Sequence, residues 1–154
     1  MITAKQQKRI HFWHQLRNEA RFRGIGTISG RSSDNKDNCE KYSRGLPPGV
    51  IFQVNIEPPV IQLFINAKDE TGKGSLARNQ EIFNRLFNHQ SSIEEQVGSS
   101  LEWVPPSGNK PRLSGSVRLE LANDSFNDPG SWDSMVEEIL NGFARFEKAI
   151  RAVI

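Results

Sequence analysis

A chain of 154 residues, of which 36% are hydrophobic and 25% are charged, is expected to fold as one domain. Its single cysteine excludes an internal disulfide framework and a multi-thiolate metal site. No apolar run reaches membrane-spanning length, and the first residues lack the apolar core of a secretory signal. We therefore expect no membrane partner and a cytoplasmic location.

The net charge of +2 is unevenly distributed along the chain. Residues 1–31 hold seven basic side chains and one acidic side chain, whereas residues 120–138 hold six acidic side chains and no basic one. Such asymmetry is typical of a surface that meets nucleic acid or a protein partner. It is also explained by two ends of the chain that attract each other or are simply solvated, and both interpretations stay open.

The first predicted element is a helix over residues 3–22, followed by a long connection. Thr3 and Gln6 form a capping-box pattern at the start of this helix, and a glycine is placed to end it. Residues 23–48 are rich in Gly, Ser, Asn and Asp, which predicts a long polar loop. Within it, residues 25–29 are predicted to form a short strand.

A β-hairpin and a long helix follow. Residues 50–56 and 60–66 are largely apolar and flank a Glu-Pro-Pro turn, which predicts two central strands covered on one side by helices. Ser75 is placed to cap a helix that continues to Val97, with a kink near Ser91.

Two more strands and a final helix complete the chain. Residues 101–104 form a short edge strand, since two prolines follow it, and residues 113–121 alternate as a half-buried antiparallel strand. The final helix begins at Asp128 or Ser131 and carries apolar side chains at alternating steps of four and three residues. These side chains are Trp132, Val136, Ile139, Phe143, Phe146, Ile150 and Val153. We predict that the sheet folds against this stripe.

The order of the elements predicts an α+β domain, in which an antiparallel sheet of about four to five strands is packed by three helices. The chain is interpreted as a single domain, 1–154. Within it, residues 1–22 form the N-terminal helix, residues 23–48 the long polar loop, and residues 49–154 the sheet with two helices.

Several short runs carry a family resemblance. They are Leu63-Phe64-Ile65-Asn66, Asn79-Gln80-Glu81-Ile82-Phe83-Asn84-Arg85-Leu86, Ile93-Glu94-Glu95, Leu101-Glu102-Trp103 and Lys110-Pro111-Arg112-Leu113, with Phe12-Trp13 near the start. Together they resemble a prokaryotic domain of unknown function that is found alone or C-terminal to nuclease-like domains, often in genes associated with restriction or defence. The resemblance implies a setting in DNA transactions, and it brings no catalytic residue, substrate or cofactor.

An enzymatic interpretation rests on the end of the second hairpin strand. Metal-dependent nucleases place an acid on one strand and acid-x-Lys on the next, so that carboxylates hold Mg²⁺ and the lysine steadies the attacking water. Here Asn66-Ala67-Lys68 stands where acid-x-Lys is required, and an amide does not replace the carboxylate charge. With Glu57 and Asp69 nearby, the candidate catalytic residues are Glu57, Lys68 and Asp69.

Nucleic-acid binding is the interpretation that the basic N-terminal part of the chain favours. The candidate phosphate-contacting residues are His14, Arg17, Arg21, Arg23, Arg31, Lys36, Lys41 and Arg44. The sequence carries no RRM, KH or zinc-finger motif. We therefore expect phosphate contacts, steep salt dependence and little choice of sequence.

No metal site or cofactor is predicted. His11 and His14 lie three residues apart, but the flanking glutamate of an HExxH site is missing. The apolar repeat of the final helix, close to about 3.5 residues, also permits a homodimer through a coiled-coil seam, although packing within the domain explains the same repeat. We interpret the chain as a non-catalytic interaction module, whose partner is nucleic acid, another protein or a second copy.

Overall fold

The computed structural model describes residues 1–31, 33–108 and 113–154. In chain order the elements are α1 (Ala4–Arg23), α2 (Gly26–Ser29), β1 (Cys39–Tyr42), β2 (Val50–Asn55), β3 (Val60–Ile65), α3 (Leu76–Phe87), α4 (Gln90–Val97), β4 (Glu102–Val104), β5 (Gly115–Glu120), a 3₁₀ turn (Pro129–Ser131) and α5 (Trp132–Arg151). The α+β class predicted from the sequence is confirmed. The Lys110-Pro111-Arg112 run of the family resemblance lies outside the described residues.

The five strands form one antiparallel sheet in the order β1-β2-β3-β5-β4. The predicted hairpin is confirmed as β2 and β3, in which Phe52 pairs with Leu63 and Val54 pairs with Ile61. The central strand is β3. The prediction that the 101–104 strand is an edge is also confirmed, and β1 forms the other edge.

The final helix, α5, packs its apolar stripe on the sheet. Six of the seven stripe residues are buried, and the last is partly buried. The ring centroid of Phe52 on β2 lies 5.6 Å from that of Phe143 and 6.0 Å from that of Phe146. The helix comes this close because Gly142 has no side chain, and an added Cβ would lie 3.3 Å from Cδ1 of Ile61. The stripe is therefore buried in the core of the domain. Packing within the domain was one of the two explanations of the apolar repeat, beside a coiled-coil dimer.

Helix α1 packs beside α5 on the same face of the sheet, through a cluster of aromatic rings. The Phe12 ring makes edge-to-face contacts with Phe126 and Trp132, at centroid distances of 5.7 and 5.2 Å. The indole N–H of Trp13, which is also fully buried, donates to the Asp37 carbonyl (2.9 Å). The cluster therefore ties the start of α5 and the loop before β1 to the same helix.

The predicted helix over 75–97 is two helices, α3 and α4, so the described part of the chain holds five helices rather than three. Ser75 caps α3 as predicted. The break comes before the kink expected near Ser91, because α3 ends at Phe87 and only Asn88 and His89 separate it from α4. The partners explain the break, because α3 packs against β3 and β5 whereas α4 packs against α5. A single straight helix would not present its apolar stripe to both.

The segment 23–48 is more structured than the polar loop predicted from its composition. Residues 25–29, predicted as a strand, contain the helical turn α2, which brings Ile28 into the core beside α1. Cys39–Tyr42 form β1 within the same segment. The apolar periodicity of the sequence does not predict this strand, because Glu40, a charged residue, occupies an inward position where an apolar one is expected.

Truncation of the α5 stripe tests this packing. Phe143→Ala is expected to lower the free energy of unfolding by about 3–5 kcal/mol, because it leaves a cavity between α5 and β2. The matched control is Phe22→Ala, since the Phe22 ring is 87% exposed and its loss should change stability by less than about 0.5 kcal/mol. Urea unfolding followed by circular dichroism measures both. Equal effects of the two substitutions would contradict the packing of α5.

Candidate nucleic-acid interface

A buried polar cluster joins α1 to the edge strand β1. Arg17 and Glu40 are 3% and 1% exposed, and Nη2 of the arginine donates to Oε2 of the glutamate. Asn35 Nδ2 donates to the same oxygen (3.1 Å), and the Tyr42 hydroxyl donates to Oε1 (2.8 Å). The Glu40 carboxylate is thus neutralised inside the fold. Arg17 is enclosed with it, unlike the other candidate phosphate-contacting residues.

The same cluster controls the protonation of Tyr42. Burial raises the pKa of its hydroxyl well above the usual 10.0, and the neighbouring Glu40 carboxylate raises it further. The hydroxyl therefore stays protonated at neutral pH and remains a donor to that carboxylate.

Four exposed cations surround β1. We call Arg31, Lys36, Lys41 and Arg44 the basic rim. Lys41 lies on the strand, and Lys36 and Arg44 lie in the loops on either side of it. The Arg31 guanidinium bonds to the strand directly, since its Nη1 donates to the Lys41 carbonyl (3.1 Å). Arg151 Nη2 donates to the Arg44 carbonyl (2.9 Å), which holds the loop after β1 against α5. The Arg31 guanidinium also lies 3.8 Å from the Glu40 carboxylate. The rim is therefore anchored at both ends, while the Lys36, Lys41 and Arg44 side chains face solvent.

The remaining candidate cations lie on α1, and each has a partner. His14 Nε2 lies 2.7 Å from the Asp34 carboxylate. Arg23 donates to the carboxylate of a glutamate one turn earlier (3.0 Å), and Arg21 donates to the side chain of an asparagine one turn earlier (3.3 Å). Such exposed contacts are weak. The two carboxylate partners offset positive charge that α1 offers to a ligand, whereas the asparagine leaves the charge of Arg21 in place. The candidate residues thus divide into one buried cation, three partnered helix residues and the basic rim.

The sheet face turned away from the helices is half-buried, as expected for strands that helices cover on one side. The register aligns Lys41, Gln53, Gln62, Arg118 and Glu102 in one row across all five strands. The neighbouring row holds Ile51, Phe64, Ser116 and Val104. We call these nine side chains the open face. Apart from Lys41, none of them was predicted from the sequence as a site residue, although the polar-apolar alternation of β5 was a signal for a solvent-facing side.

A groove of about 940 Å³ runs between α1 and α5. It is lined by His11, His14 and Arg23 on one side and by Asp133 and Glu137 on the other. Side chains of both signs therefore face each other across the groove. This mixture offers a polyanion no electrostatic advantage, in contrast to the basic rim.

The three candidate catalytic residues do not meet. Glu57 lies in the β2–β3 turn, where its carboxylate is 3.2 Å from Lys5 Nζ. Lys68 and Asp69 follow the opposite end of β3, so a strand of roughly 20 Å separates them from Glu57 at about 3.3 Å per residue. The Asp69 carboxylate closes its own turn: it accepts from the Thr71 hydroxyl and from backbone N–H groups, which lowers its pKa.

The described residues also bear on metal binding and membrane insertion. Within the described ranges, no group of three or more His, Cys, Asp or Glu side chains is placed to hold a metal ion. Cys39 is a free, half-exposed thiol at the start of β1. None of the helices in residues 1–31, 33–108 and 113–154 has both the length and the apolar character needed to cross a membrane.

Fold and surface define a two-layer α+β domain, with helices on one face of an antiparallel sheet. Residues 8–154 match the family described as a domain of unknown function, DUF4268, and the chain belongs to that family. The resemblance to a domain of unknown function is thereby confirmed, whereas its prokaryotic and nuclease-associated setting stays a prediction. No curated protein and no solved structure matches the chain. Since the family description names no activity, the function has to be argued from the surface.

The buried ion pair generates a stability prediction. Arg17→Met is expected to lower the free energy of unfolding by about 3–5 kcal/mol, because it leaves the Glu40 carboxylate buried without its cation. Arg23→Met is the matched control, since it removes an exposed pair worth less than about 1 kcal/mol. Replacing both buried partners, with Arg17→Met and Glu40→Leu together, should recover much of the loss. Chemical unfolding measures all three, and an Arg17→Met cost no larger than that of Arg23→Met would contradict the prediction.

Tyr42 generates a prediction about pH. Its folded-state pKa lies above the usual 10.0, so the unfolded chain ionises first and stability falls as the pH rises above that value. Tyr42→Phe should flatten this alkaline loss. Because Tyr42 is the only tyrosine of the chain, the near-ultraviolet absorbance of tyrosinate reports this residue alone. It should rise together with unfolding, and ionisation near 10.0 in the folded protein would count against the burial of the hydroxyl.

Proposed function

We propose that this chain is a non-catalytic module that binds nucleic acid through the basic rim. The observation that carries the proposal is the distribution of charged side chains about β1, with the cations exposed and the carboxylate of the strand buried. Four exposed cations surround the strand, whereas its own carboxylate, Glu40, is buried and is paired with Arg17 and, at 3.8 Å, with Arg31. Exposed Lys and Arg side chains on an anchored backbone are suited to contact successive phosphates.

The local balance of charge supports this surface. Between residues 31 and 44, four exposed cations stand against two exposed carboxylates, Asp34 and Asp37, and the first of these already pairs with His14. The rings of the acidic segment 120–138, Phe126 and Trp132, pack on Phe12 of α1. The excess of exposed cations between residues 31 and 44 attracts a polyanion towards β1.

Phosphate contacts of this kind position a ligand without reading its bases. Binding by the basic rim should accordingly be tolerant of sequence and strongly weakened by salt, because each neutralised phosphate releases condensed counterions. Under this proposal the module works in the cytoplasm of a prokaryote, in a DNA-transaction or defence setting. The support for that setting is the family resemblance and the low cysteine content.

Removal of two rim charges tests the proposal. The Lys36→Ala/Arg44→Ala double variant should weaken binding to all nucleic-acid sequences alike and lower the slope of log affinity against log salt by about two. The reason is that two phosphate contacts, and the counterions they release, are lost. Fluorescence anisotropy with labelled oligonucleotides over a series of salt concentrations provides the measurement.

The matched control removes two exposed charges from the helical side of the molecule, with Lys148→Ala on α5 and Arg85→Ala on α3. This variant has the same net charge as the rim variant, so it isolates the position of the charge from its amount. The control should keep the wild-type slope. If the two variants lose the same affinity and the same salt slope, binding depends on total charge and not on its position. That result would refute the rim as the site.

A further inference from the structure

The open face presents a set of hydrogen-bonding groups that the fold leaves unused. Gln53 Nε2 donates to Asn55 Oδ1 (2.9 Å), but in the described part of the chain the Gln62 side chain makes no hydrogen bond. Arg118 Nε is buried and has no hydrogen-bond partner there, and it lies 3.7 Å from the Glu102 carboxylate. These groups lie in one row, since the strands are paired in register. A ligand laid along the row would meet amides in the middle, the ammonium group of Lys41 on one side of them, and on the other side the Arg118 guanidinium with the Glu102 carboxylate beyond it.

An aromatic ring lies directly beside this polar row. Phe64 is half-exposed on the central strand β3, and its cross-strand neighbours are Ile51 and Ser116. A partly exposed aromatic ring can serve as a stacking surface, and every nucleobase has a face that stacks on such a ring. The two rows therefore combine the groups that contact bases and phosphates of an extended strand.

The size of the open face distinguishes between occupants. Five strands about 4.8 Å apart and at most six residues of about 3.4 Å each bound the face at roughly 20 by 20 Å, or about 400 Å². The edge strands β1 and β4 are shorter than this. A standard protein interface needs about 800 Å² from each partner, twice this area. A face about 20 Å wide is also too broad for the major groove of a duplex, which is about 12 Å wide and admits one helix or a two-stranded ribbon. A narrow, linear ligand fits this area better than either.

We propose that the open face binds a short stretch of single-stranded nucleic acid. This proposal rests on the nucleic-acid binding proposed for the basic rim. The strand runs along the row from Lys41 towards Arg118, so that one base stacks on Phe64. The amides of Gln53 and Gln62 bond to base edges, and the two cations contact phosphates. Lys41 belongs to both surfaces, and through it the strand continues from the open face onto the basic rim.

Anisotropy titrations with single strands of about 12 nucleotides, as DNA and as RNA, and with a duplex of the same sequence test the proposal. The wild-type protein should bind a single strand at least about tenfold more tightly than the duplex. Phe64→Leu, which keeps an apolar side chain but removes the ring, should weaken single-strand binding by roughly 5- to 100-fold, the effect of losing one stacked base. Duplex binding should stay unchanged.

A second variant guards against a folding defect in the first. Gln62→Glu has nearly the same shape and places a carboxylate in the middle of the row, so it should weaken single-strand binding about tenfold or more. The matched controls are Phe22→Leu on α1 and Gln80→Glu on α3, both exposed on the helical side. They should bind as the wild-type protein does. Thermal unfolding confirms that the variants are folded.

The outcomes separate this inference from the function on which it rests. If the rim variant loses affinity while Phe64→Leu and Gln62→Glu bind single strands like the wild-type protein, the open-face proposal is wrong and the rim stands. If the wild-type protein binds none of the probes, both are wrong. If light scattering shows a dimer that Gln62→Glu converts to a monomer, a second copy occupies the face and the single-strand proposal is likewise refuted.

Discussion

All the helices that contact the sheet of this protein lie on one of its faces, and that constraint determines what the molecule offers to solvent. The α5 stripe meets Phe52, Arg17 of α1 meets Glu40, and Phe83 of α3 meets Trp103, whose strand partner Val117 points the same way. Successive side chains of a strand point to opposite faces. Burying one set against the helices therefore turns the alternate set outward, and the antiparallel register arranges that outward set in rows rather than as scattered residues.

The buried ion pair extends this one-sided packing to the edge of the sheet. A charge taken out of water is costly unless it is paired and hydrogen-bonded, and Glu40 accepts from Arg17, Asn35 and Tyr42. A slip of β1 by one residue would expose Glu40 and turn Lys41 towards the helices, leaving charges unpaired on the inner side. The cluster thus specifies the register of a four-residue strand that has little apolar surface to specify it. The outward position of Lys41 follows directly from the inward position of Glu40.

Local signals were sufficient to predict much of this architecture. The capping box at Thr3, the left-handed glycine Gly24 that ends α1 and the stripe of α5 all act within one or two helical turns, and the structure confirms each of them. The identity of β1 was not predictable in this way, because Glu40 becomes an inward residue only when Arg17, distant in sequence, is placed above it.

The residues of the candidate surface were likewise predictable from the sequence only in part. The sequence named Arg17 and Arg21 alike as candidate phosphate-contacting residues, and only the tertiary fold separates the buried cation from the exposed one. The cations of the basic rim could be named from composition, since they lie close together in the chain. The open face could not, because Gln62 and Arg118 become neighbours through strand pairing, which no local pattern encodes.

The basic rim also satisfies a requirement that is independent of any ligand. An edge strand exposes unpaired backbone groups and is prone to pair with another chain, and charged side chains along it prevent such pairing. Arg31 contributes directly to this protection, since its guanidinium donates a hydrogen bond to the Lys41 carbonyl of β1. Edge strands favour lysine for this purpose, and Lys41 supplies it on β1. Lys36 and Arg44 lie in the loops beside the strand. These two cations are therefore the part of the charge pattern that edge protection leaves unexplained and that the proposed nucleic-acid binding requires.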